Sequence, residues 1–172
     1  MTISGEIINR VANSSLMTID LSKYAPKEDI MLFDLKPFLF DGIILQEKEF
    51  RSSLKGFDFS IYEGKIVALC CSSDAILPMW AFMLAASYLN PICSQIYFGE
   101  KEEVLQKVLL KNIADINAEE YKEKKVIIKG CGNFPLTESL YIEITQKLQG
   151  SVNSLMFGEA CSAVPVYKKK KS

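Results

Sequence analysis

From residue 64 onward the sequence alternates between two hydrophobic periods, and this restricts the fold more than any other feature. Lys65–Cys71 (KIVALCC) is a short, β-branched apolar run, the mark of a buried strand. Cap-type residues and a proline follow in SSDAILP, and Met79–Leu89 then reads as an apolar helix that Pro91 helps to end. Ser94–Phe98 is a second strand. Glu100–Ala114 is an amphipathic helix with Val104, Leu105, Val108 and Leu109 on one face and Glu103 facing Lys107 at i+4. Asn117 caps a further turn through Tyr121. Lys125–Lys129 is a third strand. Glu138–Leu148 is a helix with Leu140, Tyr141, Ile144 and Leu148 on one face, Gly150 its stop, and Val152–Phe157 the fourth strand.

Such repetition implies an α/β fold: a Rossmann-like or flavodoxin-like, mainly parallel sheet with right-handed crossovers and helices on both faces. Val164–Tyr167 contains Pro165 and fits only an edge strand or an extended tail, and Lys168–Lys171 a solvated terminus. The first 63 residues are less regular. Glu6–Val11 reads as a short helix, Met17–Leu21 and Ile43–Gln46 as strands, and Glu47–Leu54 as a helix with Gly56 behind it, while Pro37 breaks whatever Asp34–Phe40 begins. No low-complexity linker separates this aromatic-rich segment from the rest. The expectation is one domain over 1–172: an α+β extension (1–63) packed on an α/β core (64–160), with a tail (161–172).

The chain has 172 residues, 49% hydrophobic and 24% charged, enough to build a core. The net charge is -1 and only Arg10 and Arg51 are arginines, so neither a basic field nor an arginine cluster recommends nucleic acid. MTISGEIINR lacks the pattern of a signal peptide, and Ala75–Leu89, the longest apolar run, is too short to span a bilayer. These features predict a cytoplasmic protein with no membrane association, in which five cysteines are reduced thiols. There is no histidine, which removes Ser-His-Asp and Cys-His catalysis and every His-containing metal site.

Two stretches resemble each other. Lys65-Ile66-Val67 opens one and Lys125-Val126-Ile127 the other, Cys71 and Cys131 lie at the same offset within them, and each ends in Phe-Gly-Glu, at 98–100 and 157–159. Duplication and two similar solutions to one local problem both explain this.

In open α/β sheets ligands bind beyond the carboxyl ends of the strands. Cys71, Cys131 and Cys161 follow the first, third and fourth strands, with Asp74 and Glu159 in the same loops. With a strand order of 2-1-3-4 these thiols converge on one rim. Three thiols with one or two carboxylates suit zinc, iron or an iron–sulfur cluster. Packing alone also explains a cysteine, and strand alternation and neighbouring Pro91 and Ile92 assign Cys70 and Cys93 to the core. Ser72, Ser73 and Asp74 read as caps of the next helix or as an anion rim, with Gly130 and Gly158 beside it. Thr137 reads as a cap, and Trp80 and Tyr88 as core. GCG at 130–132 lacks the third glycine of a dinucleotide fingerprint.

The stretches EIINRVANSSLMTIDL, LFDGIILQEKEFR, CSSDAILPMWAFMLAASYL, VIIKGC and MFGEACSAVPVYK together resemble the bacterial domain-of-unknown-function 2480 family across nearly the whole chain. The family has no assigned activity. The resemblance implies a place near SUF-type iron–sulfur assembly genes, and so iron–sulfur assembly proteins as partners. The family pattern maps onto Cys71, Ser72, Asp74, Trp80, Gly130, Cys131, Gly158, Glu159 and Cys161, and leaves out Cys70 and Cys93.

Three functions compete. One is a metal-binding accessory of iron–sulfur assembly with Cys71, Cys131 and Cys161 as ligands and Asp74 or Glu159 completing the set. Another is a thiol enzyme with Cys71 as nucleophile at a helix N-terminus. The third is an interaction module with no chemistry of its own.

Overall fold

The strands and helices expected from residue 64 onward are present, but the strands form two sheets. The computed structural model describes residues 16–130, 132 and 134–170. Its strands are β1 (Leu16–Asp20), β2 (Ile30–Asp34), β3 (Ile66–Cys70), β4 (Gln95–Phe98), β5 (Lys125–Lys129), β6 (Ser154–Phe157) and β7 (Val164–Lys168). Its helices are α1 (Glu47–Gly56), α2 (Met79–Leu89), α3 (Lys101–Ala114) and α4 (Glu138–Leu148). One sheet has the order β2-β3-β4, and the other β1-β5-β6-β7. All pairs are parallel except β6 with β7. The chain divides accordingly into an inserted unit, Pro26–Val108, and an outer unit formed by the chain up to Ala25 and from Leu109 onward. The boundary falls inside α3.

In the inserted unit β3 is buried on both faces, which explains its unbroken apolar run. Val67 and Leu69 point into a core with Phe50 and Leu54 of α1 and Ala81, Ala85 and Leu89 of α2. Ile66 and Ala68 point the other way, against Val104 and Val108 of α3. Helices α1 and α2 share one face because both crossovers run in the same direction along the sheet and are right-handed. Phe33 of β2 anchors this core, with ring centroids 5.4–5.6 Å from Phe38, Phe57, Phe59 and Tyr62.

Two details differ from expectation. Ile30–Asp34 is a strand although no alternation marked it, because a fully apolar run fits helix and strand alike. Ile43–Gln46 is not a strand. Asp41 and Gly42 have φ of 48° and 71° and turn the chain tightly, leaving only a bridge between Phe40 and Ile44. The Glu6–Val11 helix lies outside the described residues. Pro165 sits in β7, which is an edge strand as expected.

The two units repeat one another. Ile66–Cys70, Met79–Leu89 and Gln95–Phe98 become Lys125–Lys129, Glu138–Leu148 and Ser154–Phe157, each 59 residues further on, with identical element lengths. Hydrogen bonds outside the regular elements shift by the same amount. Gly64 N–H to Ile92 O matches Glu123 N–H to Ser151 O, and Gly99 N–H to Leu69 O matches Gly158 N–H to Ile128 O. The buried pair Phe50 and Leu54 of α1 matches Leu109 and Ile113 of α3. β1 and β2 correspond too: each ends in an aspartate that accepts a backbone N–H two residues on (Ser22, Lys36), followed by a fully buried leucine. Each unit is therefore a β-α-β-α-β module, and the inserted one lies in the chain between β1 of the other and its remainder. This structural register supports reading the sequence similarity as a repeat and moves it by one residue: Cys71 corresponds to Gly130.

Gly99 and Gly158 hold φ of +131° and +112° as the chain leaves equivalent strands. Side chains rarely adopt such values, so alanine at either position should lower stability by about 1–3 kcal/mol. Gly56 ends α1 with open space around it and an ordinary φ. Gly56→Ala should be neutral or stabilising by up to about 1 kcal/mol. Urea unfolding of the three variants reads the difference.

Candidate functional site

The cysteine rim depended on strands β3, β5 and β6 lying side by side in one sheet. The structure corrects this: β5 and β6 are neighbours, but β3 lies in the other sheet. Cys71 belongs to the inserted unit and Cys161 to the outer one. Cys131 lies outside the described residues. Among the described residues no group of three or more Cys, Asp or Glu side chains is gathered to hold a metal.

The loop after β3 serves the local fold. Ser72 donates to Asp34 through its backbone N–H (2.9 Å) and its hydroxyl. Asp34 also accepts from the Lys36 N–H at 2.9 Å. Desolvation pushes the Asp34 carboxyl up, but these hydrogen bonds outweigh it and hold the group below its ordinary range. Cys71 Sγ lies 3.3 Å from Ser73 Oγ, and Ser73 Oγ accepts the Ala75 N–H at 3.4 Å. Asp74 is exposed. None of Ser72, Ser73 or Asp74 caps α2, contrary to expectation. The N-cap position is Pro78, and Cys71 lies eight residues before Met79, the first residue of α2. Cys71 is therefore neither the cap nor part of the first turn of α2, where the nucleophile reading placed it. Thr137 does occupy the N-cap position of α4.

In the outer unit, Gly130 leaves β5 under the side chains of Leu136 and Tyr141, which a Cβ there would strike. Glu159 follows Gly158 and pairs with Lys129 at 3.2 Å on the surface. Cys161 is exposed, while Cys70 is buried and Cys93 packs on the core. Burial, with Glu100 and Asp34 nearby, pushes the Cys70 thiol up to about 12. In the outer unit burial and a hydrogen bond with Tyr121 raise Tyr24 to about 12 as well. Both groups hold their protons more tightly when folded. Their contribution to stability is complete below their unfolded values, about 8.5 for the thiol and about 10 for the phenol. It is lost as pH climbs from there toward 12, so the urea midpoint should fall over that window. Among Cys70, Cys71, Cys93 and Cys161, a thiol-reactive dye at pH 8 should modify Cys161 fastest and Cys70 slowest, as peptide mapping would show.

The feature that does gather is apolar. A groove of about 460 Å³ runs along the outer unit, lined by Tyr141, Ile142 and Thr145 of α4, Leu155 and Phe157 of β6 and Val166 of β7. Ile142, Phe157, Val164 and Val166 are exposed. Tyr141 packs edge-on against Phe157 at 5.6 Å, and its counterpart Phe82 packs edge-on against Phe98, also at 5.6 Å. Met83, the counterpart of Ile142, is 71% exposed, and Phe98 64%. Elsewhere on the helix the repeats differ in charge: exposed Met79 and core-packed Leu84 and Tyr88 stand where the outer unit has Glu138, Glu143 and Lys147. The sequence reading missed this face. The Phe-Gly-Glu repeat was its one visible signal.

Fold and surface define a protein built from two α/β modules with mainly parallel strands, each presenting an apolar patch where its second helix meets the end of its third strand. The family model described as "Protein of unknown function (DUF2480)" matches residues 5–169, and the chain belongs to that family. No curated protein and no solved structure matches the chain. Among the described residues no helix is long and apolar enough to cross a membrane.

Proposed function

We propose that this protein is a non-catalytic interaction module whose working surfaces are the apolar faces of α2 and α4. One observation carries the reading. Across the repeat the pairs Phe82/Tyr141, Met83/Ile142 and Phe98/Phe157 stay apolar, and Met83, Ile142, Phe98 and Phe157 are also exposed, while at the start of the helix exposed Met79 gives way to Glu138. Exposed apolar side chains grouped in this way mark association surfaces. The groove has the dimensions and lining that take apolar side chains from a partner segment. Within this reading the iron–sulfur assembly proteins implied by the family resemblance are the partners to try first.

A titration with the apolar dye bis-ANS tests it. The folded protein should bind the dye saturably at neutral pH, and Ile142→Glu should remove the sites in the outer unit while leaving near-ultraviolet circular dichroism unchanged. No saturable binding, or binding indifferent to substitutions at Ile142 and Met83, would overturn the proposal.

A further inference from the structure

The α2 face differs from its counterpart in one respect that selects its occupant. From Ala75 to Gly99 the inserted unit carries no charged residue. Ala81, Ala85 and Leu89 turn one side of α2 into the core. On the other side Met79 and Met83, four residues apart, are 72% and 71% exposed, Ile76 in the loop just before the helix is 99% exposed, and Phe98 packs on Phe82 of α2. Apart from exposed Ser87 the helix is thus apolar on both sides, close to the composition of a buried helix.

We infer that this face is a contact between two copies of the chain, related by a two-fold axis. The inference rests on the interaction reading above and names the partner for one of its surfaces. A charge-free face offers nothing by which a transient foreign partner is selected electrostatically, whereas permanent interfaces are core-like and poor in charge. A second copy is present whenever the chain is made, and two-fold dimers are the commonest permanent assemblies. The area agrees. If a fully exposed side chain of this size presents about 200 Å², the four together offer roughly 600 Å². Two copies would bury roughly 1,200 Å², the lower bound of stable interfaces. Two exposed methionines give the face the pliability to pack on itself.

Sedimentation equilibrium of the full chain, at concentrations from micromolar to about 100 µM, tests this. The expected mass is twice 19.3 kDa. Met83→Glu, which buries an unpaired charge, should weaken the dimer roughly 100-fold or more, and Ile142→Glu should leave the mass unchanged. A monomeric wild type, or a dimer indifferent to Met83→Glu, overturns the inference. A bis-ANS titration of the same samples separates the two proposals. A monomer whose dye binding is lost with Met83→Glu removes the self-contact and points to a foreign partner. A monomer that binds no dye removes the interaction reading as well.

Discussion

Replacing Phe33 with alanine should lower the free energy of unfolding by about 4 kcal/mol, the range for a large aromatic removed from a closed core. The ring is 1% exposed and sits among four aromatic neighbours that two loops and β2 hold in place. Removing it forfeits the transfer energy of the ring and leaves a cavity that Phe38, Phe57, Phe59 and Tyr62 cannot all collapse into. A domain of ordinary stability has about 5–15 kcal/mol in total, so the variant should be close to its unfolding limit at 37 °C. Phe33→Leu, which keeps much of the volume, should cost well under half as much. Phe157→Ala is the matched control. That ring is 47% exposed, so its loss should cost about 1 kcal/mol or less. Urea unfolding followed by circular dichroism orders the three.

The second large effect tests the repeat. Leu89 closes α2 and Leu148 closes α4, both fully buried and 59 residues apart at equivalent positions. Each to alanine should cost about 3 kcal/mol, within the 2–5 kcal/mol range for leucines in closed cores. Similar losses at the two sites would follow from equivalent packing. A large loss at one and almost none at the other would contradict equivalence. Ile142→Ala, on the exposed side of α4, should stay within about 0.5 kcal/mol of wild type.

The local structure was legible because periodicity is a local signal. The range 138–148 for α4 and 125–129 for β5 follows from side-chain spacing alone, and the structure has the same bounds. The partition into two sheets was not legible. KIVALCC and KVIIK pair with β2 and β1, segments 36 and 109 residues upstream by the partners Ile30–Ile66 and Leu16–Lys125, and no local pattern encodes such choices. That is why the three cysteines looked like neighbours: the rim is a property of strand order, and strand order is non-local. The apolar faces were hidden for a different reason. A methionine at 79 or 83 reads as core in a sequence, since only the packed structure shows which side of an all-apolar helix meets solvent.

If the apolar faces, not the thiols, are the working surfaces as proposed, crosslinks to partners should form at those faces. The most direct measurement is photo-crosslinking in cells, with benzoylphenylalanine placed in turn at positions 83, 142 and 161, in the native chain and in one carrying Cys71→Ser, Cys131→Ser and Cys161→Ser (the last kept native when 161 bears the probe). Discrete adducts are expected from 83 and 142, the former at twice the chain mass, unchanged in the serine background, and none from 161. Adducts confined to 161, or adducts from 83 and 142 that vanish when the cysteines become serine, would contradict the proposal.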